Sequence, residues 1–259
     1  MSTSVGINGA CGRMGLRLCA MAGETEGVEL ADAKEQPGHA MIGKHAGEST
    51  VTIGEQFAGN ADAYIDFTVP VATRTFVPWC VEHGKAAVIG TTGLTDDDQR
   101  LIDDAGKTIP IIWASNYSLV VNVLMHLSRQ AAAMLGNDYD IEVLEAHHRY
   151  KKDAPSGTAL SIARGLCETT GRSFDDDVIF TRHGDEVTRQ PNEITMQTLR
   201  IGDHPGEHTV YFAAPGERLE IKHVSTSRDS YVVGALQAAK WIAGKPAGRY
   251  QMADVLGIG

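Results

Sequence analysis

The chain has 259 residues, 42% of them hydrophobic and 22% charged, enough for one large domain or two modest ones with buried cores. A formal net charge of -10 without any run of lysine and arginine argues against nucleic acid as a partner, and no apolar run of about 18 residues marks a membrane span. Cys11, Cys19, Cys80 and Cys167 form no Cys-x-x-Cys pair, and the N-terminus has no basic stretch followed by an apolar one, so reduced thiols and a cytoplasmic location are expected.

Val5 and Ile7 predict a short strand that runs into Gly9-Ala10-Cys11-Gly12-Arg13-Met14-Gly15, with a helix following through Leu16, Leu18 and Met21. Strand, glycine turn and helix are the context of a dinucleotide fingerprint. Gly9 permits the tight turn, Gly12 lets the backbone approach a pyrophosphate, and Gly15 allows close packing of the helix. The spacing is Gly-x-x-Gly-x-x-Gly, a variant of the usual pattern, and taken alone it reads equally as a structural turn. A second strand at 28–33 leads to Lys34-Glu35-Gln36, where an acidic residue would meet the ribose hydroxyls. Asp32 reads as a polar position on the strand, leaving Glu35 for the ribose. A carboxylate there repels a 2′-phosphate and no arginine follows to clamp one, so the residues lean toward NADH over NADPH.

Strand and helix then alternate: strands at 63–67, 86–89 and 109–114, helices at 71–83 and from Thr95. Thr95 before Asp96, Asp97 and Asp98 reads as a capped helix start with carboxylates at the positive end of the helix, and no metal is expected. Repeated units of this kind predict an α/β fold with a Rossmann-like doubly wound parallel sheet. The loops Gly90-Thr91-Thr92-Gly93 and Ala114-Ser115-Asn116-Tyr117-Ser118 leave the carboxyl ends of their strands, where such sheets bind ligands, although both also read as plain turns.

From Leu119 the pattern changes to a long helix to about 135 and then four strands at 141–146, 193–200, 208–214 and 218–225, the last two joined as a hairpin at Pro215-Gly216. This predicts a smaller α+β domain with a four-stranded mixed sheet whose exposed face could join subunits. A helix at 230–243 is expected to return to the first domain, the arrangement that builds a hinged cleft.

Between the strand at 141–146 and a helix opening near Ser156 lies a loop dense in titratable groups, His147, His148, Lys151, Lys152 and Asp153. Ser156 can cap that helix, and the first N–H groups at Gly157 and Thr158 suit a carboxylate or phosphate. An ordinary capped helix with solvated lysines fits as well. Adjacent histidines on a strand point to opposite faces, so one could serve as a general acid while the other orients a ligand.

The run His147-His148-Arg149-Tyr150-Lys151-Lys152-Asp153-Ala154-Pro155-Ser156-Gly157-Thr158-Ala159 resembles the His-His-x-x-Lys-x-Asp-Ala-Pro-Ser-Gly-Thr-Ala signature of the 4-hydroxy-tetrahydrodipicolinate reductase family. Gly9 to Gly15, Gly90 to Gly93 and the run from Arg200 to His208 are similar to further motifs of that family, so the resemblance spans nearly the whole chain. It implies a homotetramer acting on a cyclic dicarboxylate, using NADH or NADPH in lysine and diaminopimelate biosynthesis. The cofactor domain would be 1–118 completed by 228–259, and the substrate-binding and oligomerisation domain 119–227.

By the same resemblance, His147 would be the acid or base at the reduced ring, and Lys151 would bind substrate or donate a proton. His148, Ser156, Gly157 and Thr158 would hold a carboxylate. The dinucleotide would be lined by Gly9, Gly12, Arg13, Met14, Gly15, Glu35, Gly90, Thr91, Thr92, Ala114, Asn116 and Tyr117. Gln36 departs from the arginine found in members that grip NADP. Two rival readings remain at this stage: another NAD(P)-linked dehydrogenase of a small dicarboxylate, and a dinucleotide sensor without turnover.

Overall fold

In the computed structural model, residues 2–258 are described. The chain opens with β1 (Thr3–Asn8), α1 (Arg13–Ala22), β2 (Val28–Lys34), β3 (Ala63–Asp66), α2 (Pro70–Glu82), β4 (Ala86–Ile89), α3 (Asp96–Ala105) and β5 (Pro110–Trp113). It continues through α4 (Leu119–Leu135), β6 (Asp140–His147), α5 (Gly157–Thr170), α6 (Phe174–Asp177), β7 (Val178–Ile179), β8 (Ile194–Arg200), β9 (Gly206–Ala214) and β10 (Glu217–Ser225). It ends with α7 (Asp229–Ile242), β11 (Gly248–Tyr250) and α8 (Met252–Leu256). Two units separate, Met1–Leu119 with Asp229–Gly259, and Val120–Arg228. No helix among the described residues is long and apolar enough to cross a membrane.

The first unit holds a six-stranded parallel sheet in the order β11-β5-β4-β3-β1-β2. All four residues of β3 and of β4 are buried, as continuous apolar strands covered on both faces must be. Alternate residues feed two cores. Val5, Ile7, Ile65 and Val88 pack with Leu18 of α1 and Leu236 of α7, whereas Tyr64, Ile89 and Ile111 pack with Phe76 of α2 and Ile102 of α3. α7, the last long helix, contributes Val232, Leu236 and Ile242 to the first of these cores. Strand order reverses between β1 and β3, which places the loops after β1, β3, β4 and β5 around one crevice at their carboxyl ends. At the start of α3, Thr95 and Asp98 form a reciprocal capping box, and Arg74 pairs with Asp98.

The second unit carries a mixed sheet in the order β10-β9-β6-β8-β7. It has five strands where the sequence pattern predicts four, because β7 is only two residues long and exists through its pairing with β8. On β6, Ile141 and Val143 point to the face covered by α4 and α5, where Leu124, Ile162 and Leu166 complete the core. Period-two alternation sends Glu145 and His147 to that same face, at the end of the sheet where α5 begins. The β9–β10 hairpin closes through Pro215-Gly216, with Gly216 at φ 94.

Candidate active site

The glycine turn in the first unit is built by sterics. Gly9 has φ 73, and a Cβ on it would stand 2.5 Å from Thr68 Cγ2. A Cβ on Gly15 would lie 2.0 Å from the Gly9 carbonyl oxygen, so only glycine lets α1 start against the turn. Gly12 is the N-cap of α1 and provides no side-chain hydrogen bond, leaving the helix N-terminus without a side-chain lid. Arg13 is exposed and Met14 half-buried on the first helical turn. Glu35 reaches back to this turn, its Oε2 accepting from the Cys11 N–H at 2.9 Å and its Oε1 from the Gln36 N–H at 2.8 Å. These features could hold a dinucleotide: an uncapped helix start suits a pyrophosphate, and the Glu35 carboxylate lies beside that turn.

A buried carboxylate at the end of β3 ties the surrounding loops together. Asp66 accepts from Asn8 Nδ2 at 3.0 Å, Thr68 Oγ1 at 2.5 Å, Thr73 Oγ1 at 2.5 Å and Thr91 Oγ1 at 3.1 Å. The Thr91 side chain is therefore part of the scaffold, while Thr92 and Gly93 are exposed at the loop tip. A Cβ on Gly90 would lie 2.2 Å from the Phe67 ring. In the loop after β5, Ala114 is half-buried, and Asn116 Oδ1 accepts from the Ser118 N–H at 2.8 Å. Tyr117, expected from the sequence along the cofactor, points its ring into the core, where its hydroxyl donates to the Ile89 carbonyl at 2.9 Å. Its side chain is therefore part of the scaffold.

In the second unit, His147 is buried and closes β6, whereas His148 lies just beyond the strand and is half-buried, its N–H donating to the His204 carbonyl at 2.8 Å. His147 Nδ1 is 2.5 Å from Glu145 Oε2. The Arg200 guanidinium, opposite His147 in the β6–β8 register, grips Glu145 with both arms at 2.9 and 2.8 Å and donates to the Asp153 carbonyl at 2.6 Å. Burial would push the Glu145 carboxyl up, yet His147 and Arg200 together hold it down at about 2. His208 on β9 stands with its ring centroid 5.3 Å from that of His147 and its Nε2 3.3 Å from Ser156 Oγ. Burial, with His147 and His223 nearby, lowers His208 to about 3.

Ser156 caps α5, its Oγ accepting from the Ala159 N–H at 3.2 Å. Nothing lies within 4 Å of where a Gly157 Cβ would stand, so protein packing does not demand glycine there. Thr158 follows, half-buried in the first turn. Lys151 pairs with Asp153 at 2.8 Å. Around His148 the charge is positive: burial and then Arg228, His147, Lys151 and Arg200 push its ring toward the neutral form. His148 Nδ1 is buried and finds no hydrogen-bond partner among the described residues. Cations, an unpaired imidazole nitrogen and a helix N-terminus on one loop describe a place for an anion. No group of three or more metal-binding side chains occurs among the described residues.

The sequence assigns no role to Glu145, Arg200, His208 or Arg228, although Arg200 and His208 bound a run similar to a family motif. The spacing of Glu145 two residues before His147 was a readable sign, since i and i+2 share a strand face. Arg200, His208 and Arg228 lie 52 to 80 residues beyond His148 in sequence and act on the loop through strand pairing and packing.

The family described as "Dihydrodipicolinate reductase, N-terminus" matches residues 3–117, and "Dihydrodipicolinate reductase, C-terminus" matches residues 120–256. Two curated relatives are named 4-hydroxy-tetrahydrodipicolinate reductase. That of Desulfotalea psychrophila is 46% identical over 99% of this chain and 98% of its own, and that of Alkalilimnicola ehrlichii 42% identical over the whole of both. Among solved structures, a dipicolinate-bound dihydrodipicolinate reductase from Paenisporosarcina sp. TG-14 shares the fold, with a TM-score of 0.80 and 21% identity over 98% of this chain and 99% of that one.

Proposed function

Since the chain belongs to the dihydrodipicolinate reductase family, we propose that the loop from Glu145 to Ala159 is the substrate half of its NAD(P)H-dependent reduction of 4-hydroxy-tetrahydrodipicolinate. The reaction is a step of lysine and diaminopimelate biosynthesis, yields tetrahydrodipicolinate and releases water. When bound, the reduced nicotinamide supplies hydride.

The protein's own residues supply the rest. His147 delivers a proton to the ring as negative charge builds on it, a contribution on the order of 10²–10⁴ in rate. His148, through its unpaired Nδ1, and the α5 start at Ser156, Gly157 and Thr158 hold a substrate carboxylate, with Lys151 turning from Asp153 to bind the same anion or to serve as a second proton source. Gly9, Gly12, Arg13, Met14 and Gly15 receive the pyrophosphate, Glu35 the ribose, and Gly90, Thr92, Ala114, Asn116 and the Tyr117 main chain the remainder. Glu35 with Gln36 beside it favours NADH over NADPH. We also take the enzyme to be a cytoplasmic homotetramer.

The observation that carries this reading is the buried His148 Nδ1, without a partner among the described residues, with the cations Arg228, Lys151 and Arg200 acting on its ring. Pyridine-2,6-dicarboxylate, an unreactive planar analogue, tests it by calorimetry. Lys151→Met should weaken its binding at least about tenfold, the value of one hydrogen bond to a charged group. Equal affinity in the variant would remove the anion seat from this loop.

A further inference from the structure

We propose that Glu145 is a positioning residue for the reaction: it fixes which ring nitrogen of His147 carries the transferable proton, and it ties that ring to the seat of the substrate's carboxylate. The proposal rests on the reading of His147 as the acid.

Glu145 continues the core row of Ile141 and Val143, where an apolar residue would pack at no electrostatic cost, and its side chain is 0% exposed. A carboxylate is kept there with both oxygens fully engaged. Oε2 meets His147 Nδ1 and Arg200; Oε1 meets Arg200, the Ser156 N–H at 3.0 Å and Thr198 Oγ1 at 3.2 Å. One group thus contacts the proton donor and the N-cap of the helix that receives the anion. Arg200 extends the tie to the Asp153 carbonyl, pinning the loop between them.

An ionised carboxylate can only accept, so Nδ1 must donate to it and Nε2 is left as the nitrogen that gains and loses the working proton. Gly206 on β9 lies against that nitrogen: a Cβ there would stand 3.0 Å from Nε2. The other charged or titratable groups around the ring are His208 on β9, Arg200 on β8, and His148 and Lys151 on the loop, with Arg228 acting on His148. The Glu145 carboxylate on Nδ1 therefore fixes the tautomer and restrains the rotation of the ring.

The test uses the wild-type protein first. ¹⁵N spectra of histidine-labelled enzyme, with the His147 signals assigned by their loss in His147→Gln, should show the neutral ring protonated at Nδ1 and bare at Nε2. A neutral ring protonated at Nε2 would overturn the proposal. In Glu145→Gln, kcat per folded molecule should fall at least about tenfold at neutral pH, with the KM for NADH within about twofold and the neutral His147 ring no longer held in the Nδ1-protonated form. A fall in kcat that only follows the folded fraction, with the His147 tautomer unchanged, would reduce Glu145 to a structural role and overturn it too. If His147→Gln retains wild-type kcat, the acid assignment itself fails and takes Glu145 with it. If that variant is inactive while the wild-type ring carries its proton on Nε2, only Glu145 is refuted.

Discussion

Replacing His208 with glutamine should flatten the acid limb of the stability curve. The ring is 2% exposed, its Nδ1 has no hydrogen-bond partner among the described residues, and burial beside His147 and His223 lowers it to about 3 from an ordinary 6.5. Because the folded value lies below the unfolded one, the native state requires the neutral ring. Its contribution is complete above pH 6.5 and is lost as pH falls toward 3. Each unit of depression corresponds to about 1.4 kcal/mol, so the whole window is worth about 5 kcal/mol and the loss at pH 4.5 about 3 kcal/mol. Glutamine keeps a polar group near Ser156 Oγ and takes up no proton. Urea unfolding at pH 7.5 and 4.5, at one protein concentration, measures the loss for both proteins. Glu145, held down at about 2, stays ionised in the native state at both pH values and cancels in the comparison. Wild type should lose about 3 kcal/mol more than His208→Gln between the two conditions. Equal losses would refute the account of a buried neutral imidazole.

Two further substitutions probe the cofactor half. Gly15→Ala places a Cβ 2.0 Å from the Gly9 carbonyl oxygen and 2.8 Å from Ala10 Cα, both backbone atoms that cannot rotate away. The turn must shift at a cost of about 1–3 kcal/mol, so NADH titration should show affinity reduced at least about tenfold together with a lowered Tm. Unchanged affinity would separate the turn from the dinucleotide. Gln36→Arg offers a guanidinium beside Glu35 and should raise kcat/KM for NADPH relative to NADH by about tenfold. An unchanged ratio would place the ribose elsewhere.

The parallel sheet was legible because its strands are short apolar runs followed by glycine turns and helices, and the loop at 147–158 because its residue types are dense and specific. What escaped the sequence was held by partners distant in the chain. β7 and β11 are two and three residues long and are strands only because β8 and β5 accept them. Thr91 and Tyr117 sit in loops at the crevice as expected, but side-chain direction in a loop follows from its neighbours: Asp66 draws the Thr91 hydroxyl inward, and the Ile89 carbonyl draws the Tyr117 ring into the core. Arg200 faces His147 only through the β6–β8 register.

The central claim is that His147 delivers the proton, and turnover of His147→Gln tests it most directly. With NADH and substrate generated in place from pyruvate and aspartate semialdehyde, the variant should lose on the order of 10²–10⁴ in kcat while its Kd for NADH stays at the wild-type value. Retained kcat, or equal losses in kcat and NADH affinity, would contradict the account.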